Sequence, residues 1–534
     1  MEAAPLWGEG VTKPINEVLI VGGGTAGWIT AAYLARKLGA NRPDGVKITL
    51  IESSEIGIIG VGEGTIPTIQ TTMREIGIDE ARFMRGAGAT FKQGIKFVDW
   101  TTAPVGGAHS HYYHSFSRPH TLGGLDLAPY WMLGCAGDAP FSEAVTLQDT
   151  VCEAGKGPKL IDDPQYSSPL GYAYHFDAGK LATLMRDVGK ELGVRHLIGN
   201  VEGARLDETG AIAAIVTREH GELTAGLYVD CSGFSAKLIG EAMGVAFVDD
   251  SDTLFVNRAV AIQVPYDRAD APVATTTIST AREAGWTWDI GLPERRGVGY
   301  VYSNNHTSDD RAEEVLRAYV GPAAEGLNAR QLKLPIGHRQ KLWVKNCVAI
   351  GLSGGFLEPL EATGIMLIEA AAWMLGRLFP RSGELEPTAA QFNEAMGLRY
   401  KGVLDFIKLH YCLTQRTDND FWIDNARPES IPDSLRALLE MWKTRAPDPF
   451  DFGTVHDSFE VFNYQYVLYG MGFKTDLSAN LSAYPHLEAA RREFARLKNA
   501  AGRAAAAMPD HRTLLDEIYR SGFRRPTPLG AAAR

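Results

Sequence analysis

Cysteine is scarce in this sequence, with five residues in 534. The five cysteines are Cys135, Cys152, Cys231, Cys347 and Cys412. No two of them form a CxxC pair and their number is odd, so the pattern predicts neither a disulfide framework nor a structural zinc site. We therefore expect no metal and a reducing, cytoplasmic environment.

Clusters of basic residues are also missing. The 53 Lys and Arg residues are outnumbered by 64 Asp and Glu residues, which gives a net charge of -11. Nucleic-acid binding depends on clustered positive charge, so we expect no nucleic-acid partner. The uncharged run from 18 to 35 is interrupted by glycines and fits a strand, loop and helix better than a membrane span. Residues 1–7 lack the basic region of a secretory signal.

A nucleotide-binding pattern is present near the start of the chain. Residues 18–21 form a short apolar run that predicts a buried parallel strand, and a glycine motif with Gly22, Gly24 and Gly27 follows it. A second apolar run ends at Glu52. This strand, turn, helix and strand order predicts an α/β fold with a Rossmann-like dinucleotide site.

Each residue of the motif has a physical reason to be there. Gly22 allows the tight turn, Gly24 lets the backbone approach a pyrophosphate, and Gly27 lets helix and strand pack closely. Thr25 and Ala26 lie in the turn that opens the helix, whose N-terminus attracts phosphate. The carboxylate of Glu52 can accept hydrogen bonds from ribose hydroxyl groups.

The glycine motif alone does not decide between FAD and NAD. Two later apolar runs return toward the cofactor, one ending in residues 230–233 and one at Gly351. Late strands of this kind are typical of flavoproteins, which favours FAD by analogy of fold.

The rest of the chain divides into regions that differ in hydrophobic pattern. We predict an FAD-binding module over residues 1–390, of the flavin-monooxygenase type, with inserted substrate-side sheets at about 85–190 and 240–340. A mainly helical C-terminal region over 391–534 is expected to cover the substrate site, and residues 526–534 look like a loose tail.

Trp286 and Trp288 are separated by one residue in an apolar segment. On a strand they point to the same face and form a bulky wall. Two large aromatic side chains in an ordinary core strand are the alternative interpretation.

The sequence resembles the flavin-dependent tryptophan-halogenase family. The resemblance covers about residues 15–472 and depends on five blocks taken together. These blocks are GGGTAGW at 22–28, GVGEGTIP at 60–67, FK at 91–92, WTWDI at 286–290 and FLEPLEATG at 356–364.

The resemblance implies a reaction and its partners. A separate NAD(P)H-dependent reductase supplies FADH2, O2 reacts with it, and chloride or bromide is oxidised to hypohalous acid. That acid travels through the protein to a small aromatic substrate. A homodimer is one assembly that the family allows.

The resemblance also implies roles for individual residues. Lys92 captures or hydrogen-bonds the hypohalous acid, and Glu361 orients the electrophile or accepts the ring proton. Without the family, Glu358 would be an equal candidate for the second role. The further assignments are Gly62, Glu63 and Gly351 at the cofactor, Thr363 and Gly364 at the halide, and His114, Phe116, Trp286 and Trp288 at the substrate. Pro359 is expected at a first helical position, with Glu361 in the first turn.

Three departures from the family pattern bear on the substrate. Residues 457–472 lack the paired tyrosines and the Phe-Trp pair that hold the amino-acid end of free tryptophan, although Glu460 is present. Ala362 replaces a common serine, and Gly291 replaces a common proline. We therefore expect chlorination or bromination of indole or an indole derivative.

Other functions are alternatives to halogenation. A flavin-dependent aromatic monooxygenase is the nearest alternative, and it would leave Lys92 and Glu361 without a role. A catalytically silent flavin-binding protein is the second. A nicotinamide dehydrogenase is weaker because the sequence shows no second nucleotide motif.

Overall fold

A computed structural model describes residues 13–55, 57, 62–452 and 458–523 of the chain. The predictions that concern residues 1–7, Gly60, Val61, Asp457 and 526–534 lie outside these ranges.

The strands of the described chain, numbered in order, are β1 Glu17–Val21, β2 Lys47–Glu52, β3 Glu63–Gly64, β4 Thr90–Lys92, β5 Gly94–Val98, β6 His111–Ser115, β7 Thr121–Leu122, β8 Leu125–Asp126, β9 Ala173–Phe176, β10 Arg195–Ile198, β11 Val201–Leu206, β12 Ile212–Thr217, β13 Gly221–Leu223, β14 Leu227–Asp230, β15 Phe247–Asp249, β16 Arg258–Pro265, β17 Thr277–Arg282, β18 Gly285–Gly291, β19 Arg295–Tyr302, β20 Arg330–Lys333, β21 Gly337–Arg339, β22 Trp343–Val344, β23 Cys347–Ala349 and β24 Gly355–Phe356.

The α-helices, numbered in the same way, are α1 Gly24–Leu38, α2 Thr68–Ile76, α3 Glu80–Ala87, α4 Ala128–Met132, α5 Phe141–Val145, α6 Gln148–Glu153, α7 Ala178–Glu191, α8 Asp309–Val320, α9 Thr363–Arg377, α10 Glu386–Cys412, α11 Asp420–Asn425, α12 Asp433–Trp442, α13 Val461–Gly470, α14 Leu487–Ala507 and α15 His511–Ser521.

The predicted βαβ unit is present. Strands β1 and β2 are parallel and α1 connects them, with Ile20 opposite Leu50. Strand β14 pairs with the other side of β1, and β23 pairs with β14, both in parallel. The sheet order β10-β2-β1-β14-β23-β22 confirms the Rossmann-like α/β class and the late strands that return to the cofactor side.

A second, seven-stranded sheet has the order β20-β16-β19-β18-β17-β5-β6. Strands β5 and β6 come from the first predicted insertion, and the other five come from the second. Both insertions therefore contribute to one sheet. All seven residues of its strand β18 are buried, including Trp286 and Trp288.

Two details differ from the sequence-based division. After β6 the first insertion contains four helices, α4 to α7, and only three short strands, β7 to β9. In α7, Leu181, Leu184, Met185 and Val188 recur at helical spacing and are buried. Helix α10 begins at Glu386 and runs through the boundary at residue 390. The domain boundary itself remains a prediction.

The five cysteines are all unpaired in the structure. Among the described residues, no group of His, Cys, Asp and Glu side chains is arranged to hold a metal ion. None of the helices in the described ranges has the length and apolar character needed to cross a membrane.

Candidate active site

The glycine motif forms a tight turn between β1 and α1. Gly22 has φ +100°, and a Cβ atom there would lie 2.2 Å from the Cys231 carbonyl oxygen. A Cβ atom on Gly27 would lie 2.0 Å from the Gly22 carbonyl oxygen. At Gly24, where α1 begins, a Cβ atom would contact nothing within 4 Å. The loop is thus closed on its protein side and open in front of the helix N-terminus, which fits a pyrophosphate.

Glu52 ends β2 beside this turn. One carboxylate oxygen accepts hydrogen bonds from Trp28 Nε1 at 3.3 Å and from His196 at 2.8 Å. The other oxygen occupies the space where Gly23 lacks a side chain. Gly351, with φ +79°, packs on Ala26, because a Cβ atom there would lie 2.7 Å from the Ala26 Cβ. These contacts bring the distant parts of the predicted cofactor site together.

Lys92 ends the short strand β4 and is 1% exposed. Its Nζ lies 5.2 Å from the centre of the Phe116 ring. Burial lowers the pKa of Lys92 to about 8, while the charge of Glu361 opposes that change. Lys92 is therefore a buried ammonium group that can lose its proton near neutral pH.

The segment with Gly62 and Glu63 reaches the same place. Strand β9 lies between β3 and β4, and the Lys92 side chain extends toward Gly64 of β3. A Cβ atom on Gly64 would lie 3.2 Å from Lys92 Nζ. Burial, with the charge of Asp177 as a second cause, raises the pKa of Glu63 to about 7. The predicted cofactor segment thus adjoins the predicted catalytic lysine.

The expected helical position of Glu361 is wrong. Helix α9 begins at Thr363, and residues 360–362 form a separate 3-10 turn after Pro359. Glu361 and Ala362 both have positive φ, 63° and 56°. Left-handed backbone at two consecutive residues other than glycine is strained, by about 1–3 kcal/mol each. This turn directs the Glu361 carboxylate inward, while Thr363 and Gly364 form the start of α9.

Two imidazole rings bind the Glu361 carboxylate. His114 Nδ1 lies 2.8 Å from each of its oxygens, and His410 Nε2 lies 3.0 Å from Oε1. Burial alone would raise the pKa of Glu361, but the two imidazoles hold it well below its usual range. Glu361 is therefore a carboxylate in a fully buried position.

The hydrogen bonds also indicate where the imidazole protons lie. Asn463 accepts from the Glu460 backbone through Oδ1 at 2.7 Å, so its amide nitrogen faces His114 Nε2 at 2.9 Å. An amide NH2 group can only donate, which places the His114 proton on Nδ1, toward Glu361. His410 faces acceptors on both sides, since its Nδ1 lies 2.9 Å from the Phe406 carbonyl oxygen. His410 Nε2 therefore serves as a donor to the Glu361 carboxylate.

Trp286 and Trp288 form the predicted same-face pair, with ring centres 6.5 Å apart. Trp286 Nε1 donates to Glu358 Oε1 at 3.1 Å. Trp288 packs over Gly299 on the neighbouring strand β19, where a Cβ atom would lie 2.1 Å from the Trp288 ring. We call these two tryptophan side chains the tryptophan wall.

Strand β6 and helix α13 meet at the predicted substrate end of the site. His114 is 1% exposed and Phe116, two residues later, is partly exposed. Glu460 caps α13 and forms an exposed salt bridge with Arg118. The role of His114 beside Glu361 was not anticipated, and its predicted role in stacking on substrate remains a prediction.

Sequence reasoning missed His410 and Asn463. Both lie on helices of the C-terminal region, 49 and 349 residues from their partners Glu361 and His114. One signal was available for His410. It belongs to a run of buried residues in α10 that includes Phe406, Ile407 and Leu409, where a polar side chain needs a partner.

Comparisons with known proteins give one consistent result. A family model described as tryptophan halogenase matches residues 17–485. A 7-chloro-L-tryptophan 6-halogenase of Kutzneria sp. (strain 744) is 37% identical over 516 residues, which cover 92% of this chain and 98% of the relative.

Solved structures give the same result as the family model and the sequence relative. A tryptophan halogenase from Shewanella frigidimarina is 41% identical, with a TM-score of 0.92 over 96% of this chain and 99% of that protein. Tar14, a tryptophan C-6 flavin-dependent halogenase, is 36% identical, with a TM-score of 0.88 over 94% of this chain and 99% of that protein.

Proposed function

We propose a substrate and a mechanism for this chain, which belongs to the tryptophan halogenase family and is a flavin-dependent halogenase. The substrate is indole or a simple indole derivative, and the product carries chlorine or bromine on the ring. The observation that supports the halogenation mechanism most strongly is that Lys92 and Glu361 are both 1% exposed, with the charge of Glu361 acting on Lys92.

The cofactor is FAD, held by the turn at Gly22–Gly27, by Glu52 and by the backbone near Gly351. As the family membership implies, a separate NAD(P)H-dependent reductase supplies it as FADH2. When bound, FADH2 would supply two electrons to O2, so that FADH2, O2, a halide ion and a proton would give FAD, hypohalous acid and water. Thr363 and Gly364 are proposed to bind the halide, since a Cβ atom on Gly364 would meet open space at the start of α9.

Lys92 and Glu361 have different roles in the halogenation step. The halogen of the hypohalous acid bonds to a ring carbon, and the Lys92 ammonium donates a proton to the departing hydroxide, which becomes water. The ring carbon then loses its proton to Glu361. Transfer of that proton from Glu361 back to Lys92 restores both groups, and His114 and His410 hold the carboxylate in place throughout.

The contacts at the substrate end favour indole over tryptophan. In this chain Glu460 is already paired with Arg118 and engaged at the start of α13. The ammonium group of a free amino acid would have to displace Arg118 to use Glu460. A neutral indole makes no such demand.

The test of the mechanism is Lys92→Ala, assayed with FAD, a flavin reductase, bromide and indole. The variant is expected to bind FAD and to lose halogenated product, because the proton donor is gone. Lys96→Ala is the matched control, since Lys96 lies on β5, the next strand along the chain, and pairs with Glu153. Undiminished product from Lys92→Ala would refute the mechanism.

The test of the substrate is a competition assay with equal concentrations of indole and tryptophan, followed by mass spectrometry of the products. Halogenated indole is expected to predominate. A clear preference for tryptophan would show that the substrate proposal is wrong while leaving the role of Lys92 intact.

A further inference from the structure

A second buried carboxylate, Glu358, lies near Glu361 and has no role in the mechanism above. Its Oε1 accepts two hydrogen bonds, from Trp286 Nε1 at 3.1 Å and from the Tyr411 hydroxyl at 2.8 Å. Glu358 is 0% exposed. One carboxylate oxygen thus joins the tryptophan wall, helix α10 and the segment that carries Glu361.

The two tryptophans of the wall are held in different ways. Trp288 Nε1 is buried and has no hydrogen-bond partner within the described ranges, so packing over Gly299 positions its ring. Trp286 has a polar contact that specifies the orientation of its indole, and Trp100 packs beside it at 6.2 Å between ring centres. Of the two wall tryptophans, Trp286 is therefore the one that would lose a hydrogen bond if Glu358 were replaced.

The surroundings of Glu358 hold one of its oxygens as a hydrogen-bond acceptor, because two buried donors point at Oε1. Burial raises the pKa of Glu358 to about 8, although the Tyr411 and Trp286 hydrogen bonds and the charge of Lys408 oppose this. Lys408, also buried, donates to Asn425 at 2.9 Å and lies 4.7 Å from the Phe255 ring centre. Glu358 Oε2 is buried without a partner in the described chain.

We propose that Glu358 is a positioning residue that fixes the Trp286 indole and thereby keeps hypohalous acid on its path through the protein to the substrate. The inference rests on the proposed halogenation function, because it concerns the fate of hypohalous acid. Glu358 touches neither acid nor substrate in this role. It acts through Trp286.

The experiment compares where the oxidised halogen goes. Bromination of indole and bromination of a soluble 1,3-diketone scavenger are measured together, with FADH2 supply held constant. In Glu358→Leu, the ratio of bromoindole to brominated scavenger is expected to fall about fivefold, the factor expected for loss of one typical hydrogen bond. Glu358→Gln keeps a carbonyl oxygen as acceptor and should keep the wild-type ratio.

Two further variants test the hydrogen bond between Glu358 and Trp286 by itself. Trp286→Phe retains an aromatic ring but removes the donor, so it is expected to lower the ratio as Glu358→Leu does. This variant also decides the matter if Glu358→Leu fails to fold. Tyr411→Phe removes the other donor to the same oxygen and should leave the ratio unchanged, because the Trp286 contact persists.

The flavin-free proteins provide a readout that is independent of turnover. The near-UV circular dichroism difference between wild type and Trp286→Phe defines the Trp286 signal, and Glu358→Leu is expected to weaken that signal. A wild-type ratio in folded Glu358→Leu or in Trp286→Phe would overturn the positioning role alone. Absence of any bromination by the wild-type protein would overturn the proposed function as well.

Discussion

Glu369 provides a quantitative test of how the site is supported, because this buried acid connects two helices that lead into it. It lies on α9, whose first residues are the proposed halide ligands, and accepts hydrogen bonds from Thr68 and Thr72 of α2. Burial raises the pKa of Glu369 to about 8, against the hydrogen bonds from Thr72 and Thr68. In the native protein the carboxyl is therefore neutral at pH 7, whereas in the unfolded chain it ionises near its ordinary value of 4.5.

The sign of the pH dependence follows from proton binding. Between pH 4.5 and about 8 the native state holds a proton that the unfolded state has lost, so the free energy of unfolding falls as pH rises. The slope is about 1.4 kcal/mol per pH unit, which amounts to a total on the order of 5 kcal/mol across the interval. The stabilisation is complete below pH 4.5 and is lost by the time the pH passes 8.

The perturbation is Glu369→Gln, which keeps the shape and the hydrogen-bonding groups but cannot ionise. Urea unfolding followed by tryptophan fluorescence is measured at several pH values between about 5.5 and 7.5 for both proteins. The free energy of unfolding of the wild type is expected to fall by about 3 kcal/mol relative to that of the variant across that range. Glu384→Gln, which changes an exposed carboxyl in the loop before α10, is the control and should run parallel to wild type. If the free energies of unfolding of wild type and Glu369→Gln changed in parallel with pH, the assignment of a neutral buried acid would be refuted.

Three further outcomes are expected. The halogenation rate at saturating substrate should fall as pH rises through about 8, because the Lys92 ammonium donates a proton; a rate that rises there would indicate that the neutral amine carries the halogen. Gly299→Ala should lower the melting temperature, with a cost of about 1–3 kcal/mol, because the added methyl group overlaps the Trp288 ring. Its control, Gly397→Ala in α10, adds a methyl group in open space and should stabilise the protein by about 0.5–1 kcal/mol. Gly27→Ala should abolish FAD binding, measured by flavin absorbance after gel filtration, because its methyl group collides with the turn.

Several features could be predicted from the sequence because they depend on short-range patterns. The alternation of strand, glycine turn and helix over residues 17–52 identified the βαβ unit, which the structure confirms. The spacing of Trp286 and Trp288 placed both rings on one face, as observed. The motif blocks identified the family, and the family model and the solved structures confirm that resemblance.

Other features could not be predicted because they depend on contacts between distant segments or on unusual backbone. The left-handed conformation of Glu361 contradicts the helical position that Pro359 suggested, since strain of this kind is held in place by surrounding structure. The two imidazoles on Glu361 come from β6 and α10, which nothing in the local sequence links. The first insertion contains four helices, α4 to α7, although its aromatic residues suggested sheet.

The sequence by itself determined the local elements and the nucleotide turn, because each follows from the period of a strand or helix or from a glycine that no other residue can replace. The roles of Lys92 and Glu361 came from the family resemblance instead, and they remain proposals. Only the tertiary structure decided which side chains surround Glu361 and which of two neighbouring acids is ionised. Glu361 is held as a carboxylate by two imidazoles, whereas Glu358, buried without such partners, favours its proton and binds Trp286. The physical reason is that the ionisation of a buried carboxyl depends on the groups packed around it, and packing is a property of the folded chain.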